Sequence, residues 1–367
     1  MRARIRLCRK TAGKAGLIRW QAGRHELGRN ASVIIILNKN KLLHLHLETL
    51  RKRPQHFHLT EEAWADAARR HRALAKRLHV TVGWDGETLD TALKTADFMI
   101  NSNPPRERLR ERAPALKWIQ TTGAGVDGLM PLDWLPDGVA LTNNSGSHGA
   151  KAEDSCTMAL LMLHARMPQV LANQRNRVWQ YVLTHPIAGR TAVVIGFGDL
   201  GAAAGRAAKK LGLRVIAVTR SGKAPRPADA SYPSSRIDPV LPKADFVIVA
   251  SPLTSLTRGL LNASRLSLLK PGAAFINIGR SPIVDYEALR GKLERGELSG
   301  AVLDVFDQEP LPADSPLWTT PNLVVMPHIT CDSPGYVDNL FDRWFDNFER
   351  FLAGKRLVNV VDRNLGY

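Results

Sequence analysis

Cysteine is scarce in this sequence of 367 residues. The three cysteines, Cys8, Cys156 and Cys331, are odd in number and far apart along the chain. A disulfide framework or a cysteine-rich metal site needs paired or closely spaced thiols, so neither is expected. The scarcity favours a reducing compartment, and a cytoplasmic location is the default expectation.

Long apolar runs are also missing. No stretch approaches the roughly 18 uninterrupted apolar residues that a membrane-spanning helix needs. Hydrophobic residues make up 44% of the chain and charged residues 23%, which is typical of a globular protein. Because the length exceeds what one hydrophobic core usually organises, two domains are expected.

Acidic residues are nearly absent from the start of the chain. Residues 1–30 hold nine Lys or Arg and one acid, Glu26, so they carry +8 of the net charge of +17. The remaining positive charge is spread over several predicted helices, and no DNA-reading helix or zinc finger is recognisable, so no nucleic-acid partner is expected. The segment lacks the apolar core of a secretory signal, and it contains no serine, which argues against a transit peptide. A disordered tail, or an upstream extension from a misassigned start, is the favoured interpretation.

Strand-like and helix-like stretches alternate in the first half of the chain. The apolar run Val33–Leu37 predicts a buried strand, and short strands are predicted at 80–83, 97–100 and 117–120. Residues 61–79 predict one amphipathic helix, with acids in its first turn and bases in its last. This alternation indicates a parallel sheet covered by helices.

A second alternating series begins at Thr191, after a predicted helix at 151–167. It contains six strand-like runs, which are AVVIG, LRVIAVT, FVIVASP, AAFINIG, GAVLDVF and NLVVMPH. Helices are predicted between them at 199–211 and 284–296. Six strands are the count of a doubly wound nucleotide-binding sheet.

The predicted fold class is therefore α/β, with two doubly wound parallel-sheet domains of Rossmann type, the second inserted into the first. We expect a basic tail at 1–30, a substrate domain at 31–150 and a dinucleotide-binding domain at 151–329. Residues 330–367 contain a last helix. Because the six-stranded unit already looks complete, this helix is expected to return to the substrate domain.

Gly196, Gly198 and Gly201 form a G-x-G-x-x-G pattern between a predicted strand and a predicted helix. The first glycine permits a tight turn, the second lets the backbone approach a pyrophosphate, and the third lets helix and strand pack closely. The helix N-terminus adds free N–H groups and the positive end of the helix dipole. The pattern alone is weak, since a glycine-rich packing turn is the alternative, but the flanking strand and helix favour dinucleotide binding.

The acid that usually selects NAD is missing from its expected place. A site selective for NAD carries Asp or Glu at the end of the second strand, about 20 residues beyond the glycines. Thr219, Arg220 and Ser221 stand there instead, and no acid occurs between Gly201 and Asp229. An arginine with neighbouring hydroxyls would hold the 2′-phosphate that a carboxylate would repel. NADP is therefore predicted in preference to NAD, the alternative being an ordinary solvated turn.

Arginine, glutamate and histidine follow three consecutive predicted strands. The fourth strand of the second series ends at Arg280, the fifth runs through Asp304 with Glu309 just beyond, and the sixth ends at His328. Ligands of open α/β sheets lie at the carboxyl ends of the strands. Reduction of a keto acid needs a cation for the carboxylate, a proton donor for the forming alkoxide, and a group that keeps the donor charged. Taken singly, each residue could be a surface ion pair or a turn cap, but together they favour this chemistry.

Seven segments between about Leu116 and Asn359 occur in a familiar order. They are GRTAVVIGFGDLG, ASPLTSLTRGLL, PGAAFINIGRSPIVD, GAVLDVFDQEPLP, SPLW, PNLVVMPHIT and LVNVV. In these segments the chain resembles the D-isomer-specific 2-hydroxyacid dehydrogenases, and among them the glyoxylate/hydroxypyruvate reductases most. Residues 1–115 match the family only loosely.

The resemblance implies an NAD(P)-dependent oxidoreductase acting on a small 2-keto or 2-hydroxy acid. Arg280 would bind the carboxylate and polarise the keto oxygen, His328 would be the acid/base with Glu309 as its partner, and Asp304 would steady the arginine. A homodimer through the cofactor domain, with the helix at 151–167 near the contact, is also implied. The residues implied for cofactor contact are Gly196, Phe197, Gly198, Asp199, Leu200, Gly201, Thr219, Arg220, Ser221, Ser251, Pro252, Thr257, Ile278, Gly279 and Asp304.

The loop from Thr121 to Asp127 resembles the substrate loop of the family. The backbone N–H groups of Ala124 and Gly125 would bind the substrate carboxylate opposite Arg280, the glycine allowing close approach. A simple glycine turn is the alternative. Where the family usually has a glycine after the catalytic arginine, Ser281 stands in this chain, and we expect it to narrow that wall of the site.

Other proteins with the same fold have different functions. Formate dehydrogenases share the fold, but resemblance to them would require glutamine at the position of Glu309. Regulated phosphoglycerate dehydrogenases carry a further C-terminal domain, whereas this sequence stops at Tyr367. Corepressors built on the same fold keep the catalytic residues, so a nucleotide-sensing scaffold stays open as the alternative. The absence of long C-terminal interaction tails favours an enzyme.

Four histidines in the first predicted domain have a metal-like spacing. They are His44, His46, His56 and His58. No cysteine or acid stands at a matching ligand spacing, so we expect solvated helix or loop histidines and no metal.

Overall fold

The computed structural model describes residues 15–21, 32–38 and 41–367. The chain divides into two compact units, one formed by residues up to 144 and from 337 onward, the other by residues 145–336. Each unit contains its own parallel sheet, and the second unit interrupts the sequence of the first. The predicted fold class is confirmed. The inserted unit starts six residues before and ends seven residues after the predicted boundaries at 151 and 329.

Two strands at the start of the described chain form a separate sheet. Strands β1 (Ala15–Gln21) and β2 (Ser32–Asn38) pair antiparallel, so the predicted strand at Val33–Leu37 exists but lies outside the parallel sheet. This strand was also predicted to be buried, but its side chains are outside those that the structure describes. Strand β1 lies in the stretch 1–30 that was predicted to be a disordered tail, and the structure differs from that prediction there. The rest of that stretch is outside the described residues.

The first unit is built on a five-stranded parallel sheet. Its strands are β3 (Leu43–Thr49), β4 (Leu78–Trp84), β5 (Phe98–Asn101), β6 (Trp118–Gln120) and β7 (Ala140–Thr142). Its helices are α1 (Glu61–Arg70), α2 (Arg72–Ala75), α3 (Leu89–Leu93), α4 (Leu109–Arg112) and α10 (Tyr336–Leu352), α10 being numbered after those of the second unit. The strand order is β4-β3-β5-β6-β7, so the chain enters the sheet near its middle and runs to both edges, as in other doubly wound sheets.

For this unit, one predicted helix differs from the structure and two strands were not predicted. The helix expected over 61–79 ends at Arg70, resumes for a single turn and gives way to β4, because His71 is held from the side. The His71 ring stacks on Phe345 at 4.3 Å, and its Nε2 lies 2.7 Å from an Asp342 carboxylate oxygen. Strands β3 and β7 were not predicted at all.

The last helix of the chain covers one face of this sheet. Its buried residues recur at helical spacing and include Phe341, Trp344 and Phe348, which pack with the strand residues Phe98 and Trp118. The rings of Trp344 and Trp118 are stacked, with centroids 5.2 Å apart. Burial of aromatic side chains of this size dominates core energetics. Helix α10 therefore completes the core of the first unit, although it follows the second unit in sequence.

His44 and His46 are buried in β3, so the prediction of solvated histidines is wrong for these two. The hydroxyl oxygen of Thr81 lies 2.8 Å from His44 Nε2 and 2.8 Å from His46 Nδ1. Burial lowers the pKa of His44, since a charged ring would lose its hydration. His56 and His58 lie in a short 3₁₀ turn and the loop after it, and both are half-buried.

The second unit is built on a seven-stranded parallel sheet rather than the predicted six-stranded one. Its strands are β8 (Thr191–Ile195), β9 (Arg214–Thr219), β10 (Ala230–Pro233), β11 (Phe246–Val249), β12 (Ala274–Asn277), β13 (Gly300–Leu303) and β14 (Leu323–Val325). The order is β10-β9-β8-β11-β12-β13-β14. The strand that was missed is β10, a half-buried edge strand of four residues with the sequence ASYP.

The second unit contains five helices. They are α5 (Gly149–His164), α6 (Met167–Arg175), α7 (Asp199–Lys210), α8 (Ala263–Ser267) and α9 (Tyr286–Glu294). The helices predicted at 151–167, 199–211 and 284–296 correspond to α5, α7 and α9 with shifted ends. Separate apolar clusters lie on the two faces of the sheet, as continuous apolar strands require. Among the described residues, no helix is long and apolar enough to cross a membrane.

Candidate active site

The carboxyl edge of the seven-stranded sheet collects most of the predicted site residues. The chain runs from β8 out to β9 and β10 and then returns to β11 on the other side of β8, so the connections diverge between β8 and β11. Such a switch point opens a crevice in which α/β proteins bind their ligands. In spatial order from β9 to β14, the residues that directly follow the strands at this edge are Arg220, Gly196, Ala250, Ile278, Asp304 and Met326.

The glycine loop lies at this switch point, between β8 and α7. Gly196 has φ +84°, and a Cβ there would come within 2.5 Å of the Ser251 Cα. A Cβ at Gly201 would come within 1.9 Å of the Gly196 carbonyl oxygen. A Cβ at Gly198 would meet no atom within 4 Å, so that side of the loop is open. Two glycines are therefore required by packing, whereas Gly198 keeps the backbone accessible to a ligand.

This loop fits the pyrophosphate of a dinucleotide. Gly198 is the N-cap of α7 and is exposed, and no side chain occupies the cap. The first N–H groups of a helix have no partner within it, and they point toward an anion together with the positive end of the helix dipole. Of the other predicted residues in the loop, Phe197 is buried against Gly205, Asp199 is exposed in the first turn, and Leu200 is half-buried.

The residues after β9 form an exposed turn. The Thr219 hydroxyl donates to the carbonyl oxygen of Lys223 at 3.1 Å, and the Ser221 hydroxyl accepts from the Lys223 N–H at 3.3 Å. The Thr219 hydroxyl thus donates its proton within the turn, whereas the Ser221 hydroxyl is only an acceptor in these two bonds. Arg220 is exposed between them. A cation and a hydroxyl donor therefore stand where an acid would select NAD.

The remaining predicted cofactor contacts flank β11 and β12. Ser251 is buried, Pro252 is exposed, and Ile278 and Gly279 are buried beside Ser251. The Thr257 hydroxyl donates to the Pro252 carbonyl oxygen at 2.7 Å and so closes the loop between them. Thr257 therefore stabilises the loop that follows β11.

Arg280 follows β12 in an extended conformation and is half-exposed. Its Nη1 donates to the carbonyl oxygen of Gly279 at 2.8 Å, which holds one side of the guanidinium. The carbonyl oxygen of Arg280 itself accepts from the Asn277 side-chain amide at 3.2 Å. Both bonds orient the residue from the buried end of its own strand.

His328 and Glu309 form a pair at the neighbouring strand ends. The Nδ1 atom of His328 lies 2.8 Å from Glu309 Oε2, and the other oxygen of Glu309 accepts from the backbone N–H of Phe306 at 2.9 Å. Since a carboxylate accepts, Nδ1 carries the proton and Nε2 points away from Glu309. Within the described chain no residue bonds to Nε2, and the side chain is 48% exposed, so this nitrogen is accessible to a substrate.

Asp304 holds the backbone beside that histidine. Its two carboxylate oxygens accept from the N–H groups of Ile329 at 2.8 Å and Thr330 at 3.1 Å. Asp304 is almost fully buried, and burial raises the pKa of its carboxyl. The sequence led us to expect Asp304 to steady Arg280, whereas these bonds go to the residues that follow His328.

The backbone of His328 itself is strained. Its φ is +57°, in the left-handed region that residues other than glycine rarely occupy. Such conformations cost on the order of 1 kcal/mol and persist only where the surroundings impose them. The Asp304 carboxylate provides this constraint, because it holds the next two amides. Strain of this kind concentrates at functional sites.

The loop predicted to bind substrate lies in the first unit, directly after β6. The Gly123 carbonyl oxygen accepts from the Asn144 N–H at 3.0 Å, and the Asn143 side-chain amide donates to the Ala124 carbonyl oxygen at 2.9 Å. In the described chain the N–H groups of Ala124 and Gly125 donate to no protein acceptor. These two amides are thus available to an anion.

Two residues of this edge were missed from the sequence. Asn277 is fully buried at the end of β12, where its side chain accepts from the Gly279 N–H at 3.0 Å and donates to the Tyr286 hydroxyl oxygen at 2.9 Å. The Tyr286 hydroxyl donates in turn to the Val305 carbonyl oxygen at 2.8 Å. A polar residue ending the apolar run AFIN was the signal that could have found Asn277.

The chemistry of the edge is acid–base and electrostatic. Over the residues that the structure describes, no group of three His, Cys, Asp or Glu side chains could hold a metal ion. A dinucleotide loop at the switch point, an arginine and a carboxylate-bound histidine at adjacent strand ends define a nicotinamide-dependent dehydrogenase.

Comparison with known proteins agrees with this class. Residues 157–330 match the family model described as D-isomer specific 2-hydroxyacid dehydrogenase, NAD binding domain. A putative 2-hydroxyacid dehydrogenase of Haemophilus influenzae is 33% identical over 282 residues, which cover 71% of this chain and 85% of that protein. The chain therefore belongs to the D-isomer specific 2-hydroxyacid dehydrogenase family.

Two solved structures are similar over most of the chain. One is a D-isomer specific 2-hydroxyacid dehydrogenase of Xanthobacter autotrophicus Py2 in complex with NADPH and MES, with 31% identity, a TM-score of 0.76, and coverage of 88% of this chain and 99% of that one. The other is an NADPH-dependent glyoxylate/hydroxypyruvate reductase of Sinorhizobium meliloti in complex with NADP and sulfate, with 28% identity, a TM-score of 0.75 and the same coverage. These relatives are dehydrogenases and reductases, so the chain is an NAD(P)-dependent dehydrogenase and the corepressor alternative is not supported.

The glycine loop yields a prediction that separates packing from ligand access. Gly201→Ala should lower the free energy of unfolding by about 1–3 kcal/mol or more, because its Cβ would overlap the Gly196 carbonyl oxygen. Gly198→Ala, at φ −75° with open space beside it, should change that free energy by less than about 0.5 kcal/mol. Chemical denaturation of both variants measures the difference. Equal stability of the two proteins would contradict the described loop.

Proposed function

We propose that the protein reduces glyoxylate, hydroxypyruvate or a 2-keto acid of similar size to the D-2-hydroxy acid, with NADPH as the preferred reductant. The observation that carries the proposal is the His328–Glu309 pair, which stands at the same sheet edge as Arg280 and the glycine loop. The similarity to the Sinorhizobium meliloti reductase supports the size of the acid and the choice of NADPH.

Arg280 binds the substrate carboxylate in this proposal and polarises the keto oxygen. A guanidinium presents parallel N–H donors that match a carboxylate, and it stays charged at all working pH values. Its Nη1 donates to the Gly279 carbonyl oxygen and its own carbonyl oxygen accepts from the Asn277 amide, so guanidinium and backbone are both held before substrate arrives. Preorganised donors of this kind stabilise the negative charge that develops on the oxygen during reduction.

His328 supplies the proton. In the imidazolium form Nδ1 donates to Glu309, and Nε2 donates to the oxygen that becomes the hydroxyl. Glu309 is a charged acceptor for the Nδ1 proton and is itself held in orientation by accepting from the Phe306 N–H. The glycine loop would hold the dinucleotide, whose nicotinamide would supply the hydride. Reversal of the proton transfer makes His328 the base for oxidation of a hydroxy acid.

Arg220 and Ser221 hold the 2′-phosphate in this proposal. The guanidinium adds charge, the Ser221 hydroxyl adds a donor, and the absence of acids between Gly201 and Asp229 removes the repulsion that would oppose a phosphate. Thr219 contributes less, because its hydroxyl already donates to Lys223. The backbone amides of Ala124 and Gly125, which donate to no protein acceptor in the described chain, are proposed to bind an anion.

We further propose a homodimer formed through the second unit. Helices α5 and α6 and the segment after them expose a series of large apolar residues, which are Met158, Leu161, Met167, Leu171, Val178, Trp179, Tyr181 and Leu183. Trp179 is 90% exposed and Leu183 is 87% exposed. Large exposed apolar patches mark association surfaces. A cytoplasmic location is proposed as well, supported by Cys156 and Cys331, which are both free thiols.

Replacement of His328 by Asn should lower kcat for keto-acid reduction by about 10²–10⁴-fold, because the proton donor is lost. NADPH affinity should be unchanged. Glu309→Gln keeps His328 but removes the charged acceptor of its Nδ1 proton, so kcat should fall by a smaller factor than in His328→Asn. The matched control is Asp314→Asn, an exposed carboxylate five residues farther along. Near-normal turnover by His328→Asn would refute the mechanism.

Arg220→Ala should abolish the preference for NADPH over NADH, measured as the ratio of kcat/KM for the two cofactors. Arg214→Ala serves as the control, because Arg214 lies at the opposite end of β9, about 17–20 Å away at the usual strand rise. The control should keep the ratio of the unmodified protein. Higher kcat/KM with NADH in the unmodified protein would exclude the proposed preference.

Light scattering at micromolar concentration should return the mass of a dimer. Leu183→Glu places a charge in the exposed apolar series and should shift the mass toward the monomer, since an unpaired buried charge opposes association. Leu268→Glu is the matched control, as Leu268 is an exposed leucine outside this series. A monomer mass for the unmodified protein, or an undisturbed dimer in Leu183→Glu, would argue against this interface.

A further inference from the structure

Two side-chain bonds connect the loop that carries Arg280 to the loop that carries Glu309. The first runs from the Ser281 hydroxyl to the Asp307 carboxylate, with 2.7 Å between the Oγ and Oδ1 atoms. Ser281 is 3% exposed, so its hydroxyl has been withdrawn from water, and Asp307 is exposed. A buried hydroxyl that donates to a charged acceptor makes a stronger bond than a neutral pair.

The second connection is made by Tyr286. Its hydroxyl donates to the Val305 carbonyl oxygen at 2.8 Å and accepts from the Asn277 side-chain amide at 2.9 Å. Burial raises the pKa of Tyr286, so the phenol keeps its proton and remains a donor. The same Asn277 amide group donates to the Arg280 carbonyl oxygen. Arg280 and Val305 are therefore linked through only two side chains.

These bonds continue the register of the sheet beyond its strands. The paired strands β12 and β13 end with Asn277 opposite Leu303. Beyond that pair, the bond from Ser281 to Asp307 joins the two loops next to Arg280 on one side and two residues before Glu309 on the other. Displacement of either loop would stretch this bond.

The chemistry proposed above depends on the separation of these two loops. The guanidinium must hold the carboxylate while the imidazolium reaches the keto oxygen of the same small molecule. An error of about 1 Å in such an arrangement can reduce the rate on the order of 10²-fold. Because Arg280 has a long flexible side chain, its reach is set by where its backbone is held.

We propose that Ser281 and Asp307, with Tyr286 as a second brace, are positioning residues for the keto acid. They set the place of the Arg280 guanidinium relative to the Glu309–His328 pair. The inference rests on the proposed function and goes beyond it, since none of these three residues reacts. Substrate binding and turnover, rather than the binding of NADPH, depend on this connection.

The test compares Ser281→Ala, Asp307→Ala, the double variant, and Asp307→Asn, whose amide oxygen still accepts from Ser281. Asp314→Ala is the matched control, an exposed carboxylate of the same loop with no side-chain bond in the described chain. KM and kcat for glyoxylate, KM for NADPH, the pH–rate profile and the melting temperature are measured for each. The same measurements are made on Tyr286→Phe.

Each single removal should raise KM for glyoxylate by roughly tenfold, the loss expected for one hydrogen bond to a charged group. The double variant should be no worse than either single one, because both remove the same bond. Asp307→Asn should return KM to within about twofold of the unmodified value. KM for NADPH and the pH at which activity declines should stay unchanged, as should every parameter of Asp314→Ala.

Other outcomes would overturn the inference. Additive effects in the double variant, or a loss of melting temperature with an unchanged KM for glyoxylate, would show that the bond is structural only. Should Ser281→Ala fail to fold, the comparison of Asp307→Ala with Asp307→Asn decides. Unmodified protein that reduces glyoxylate while both single variants keep its KM would contradict this inference alone. Failure of the unmodified protein to reduce any 2-keto acid would contradict the proposed function and this inference together.

Discussion

One buried carboxylate holds the candidate active site in its working shape. Asp304 stands at the end of β13 and accepts from two successive amides beyond β14, which ties two neighbouring strand ends together. Those bonds keep His328 in a left-handed conformation that would otherwise relax. In that conformation the ring meets Glu309 through Nδ1 and leaves Nε2 outward. The orientation of the His328 ring is thus a consequence of backbone geometry imposed from the buried side.

The carboxyl edge of the seven-stranded sheet brings chemically different groups together because its strands are parallel. Parallel strands place all their carboxyl ends on one side, so a glycine loop, an arginine and a histidine that are far apart in sequence lie in adjacent connections. Tight contacts at Gly196 and Gly201 bring the backbone of β8, α7 and β11 close at the switch point. The positions of the glycine loop and of the His328–Glu309 pair along this edge follow from the strand order.

Prediction from the sequence succeeded where a pattern is local and failed where burial is decided by distant residues. Long apolar runs such as those of β8 and β9 identify strands, because only a sheet covered on both faces accommodates them. Strand β3 was missed since His44 and His46 alternate with leucines, and nothing in the sequence shows that Thr81 satisfies both rings. Strand β10 was missed because four half-buried residues carry too little pattern.

The sequence by itself determined the fold class, the glycine loop and the residue types that the chemistry needs. These depend on apolar periodicity, on backbone freedom and on the identity of the charged groups, all of which are properties of short segments. Only the tertiary structure decided which acceptor each donor meets. The placement of Asp304 on the amides after His328, and of Ser281 on Asp307, requires strands that become neighbours through hydrogen bonding. Side-chain partners separated by more than twenty residues depend on the register of the sheet, which no local pattern encodes.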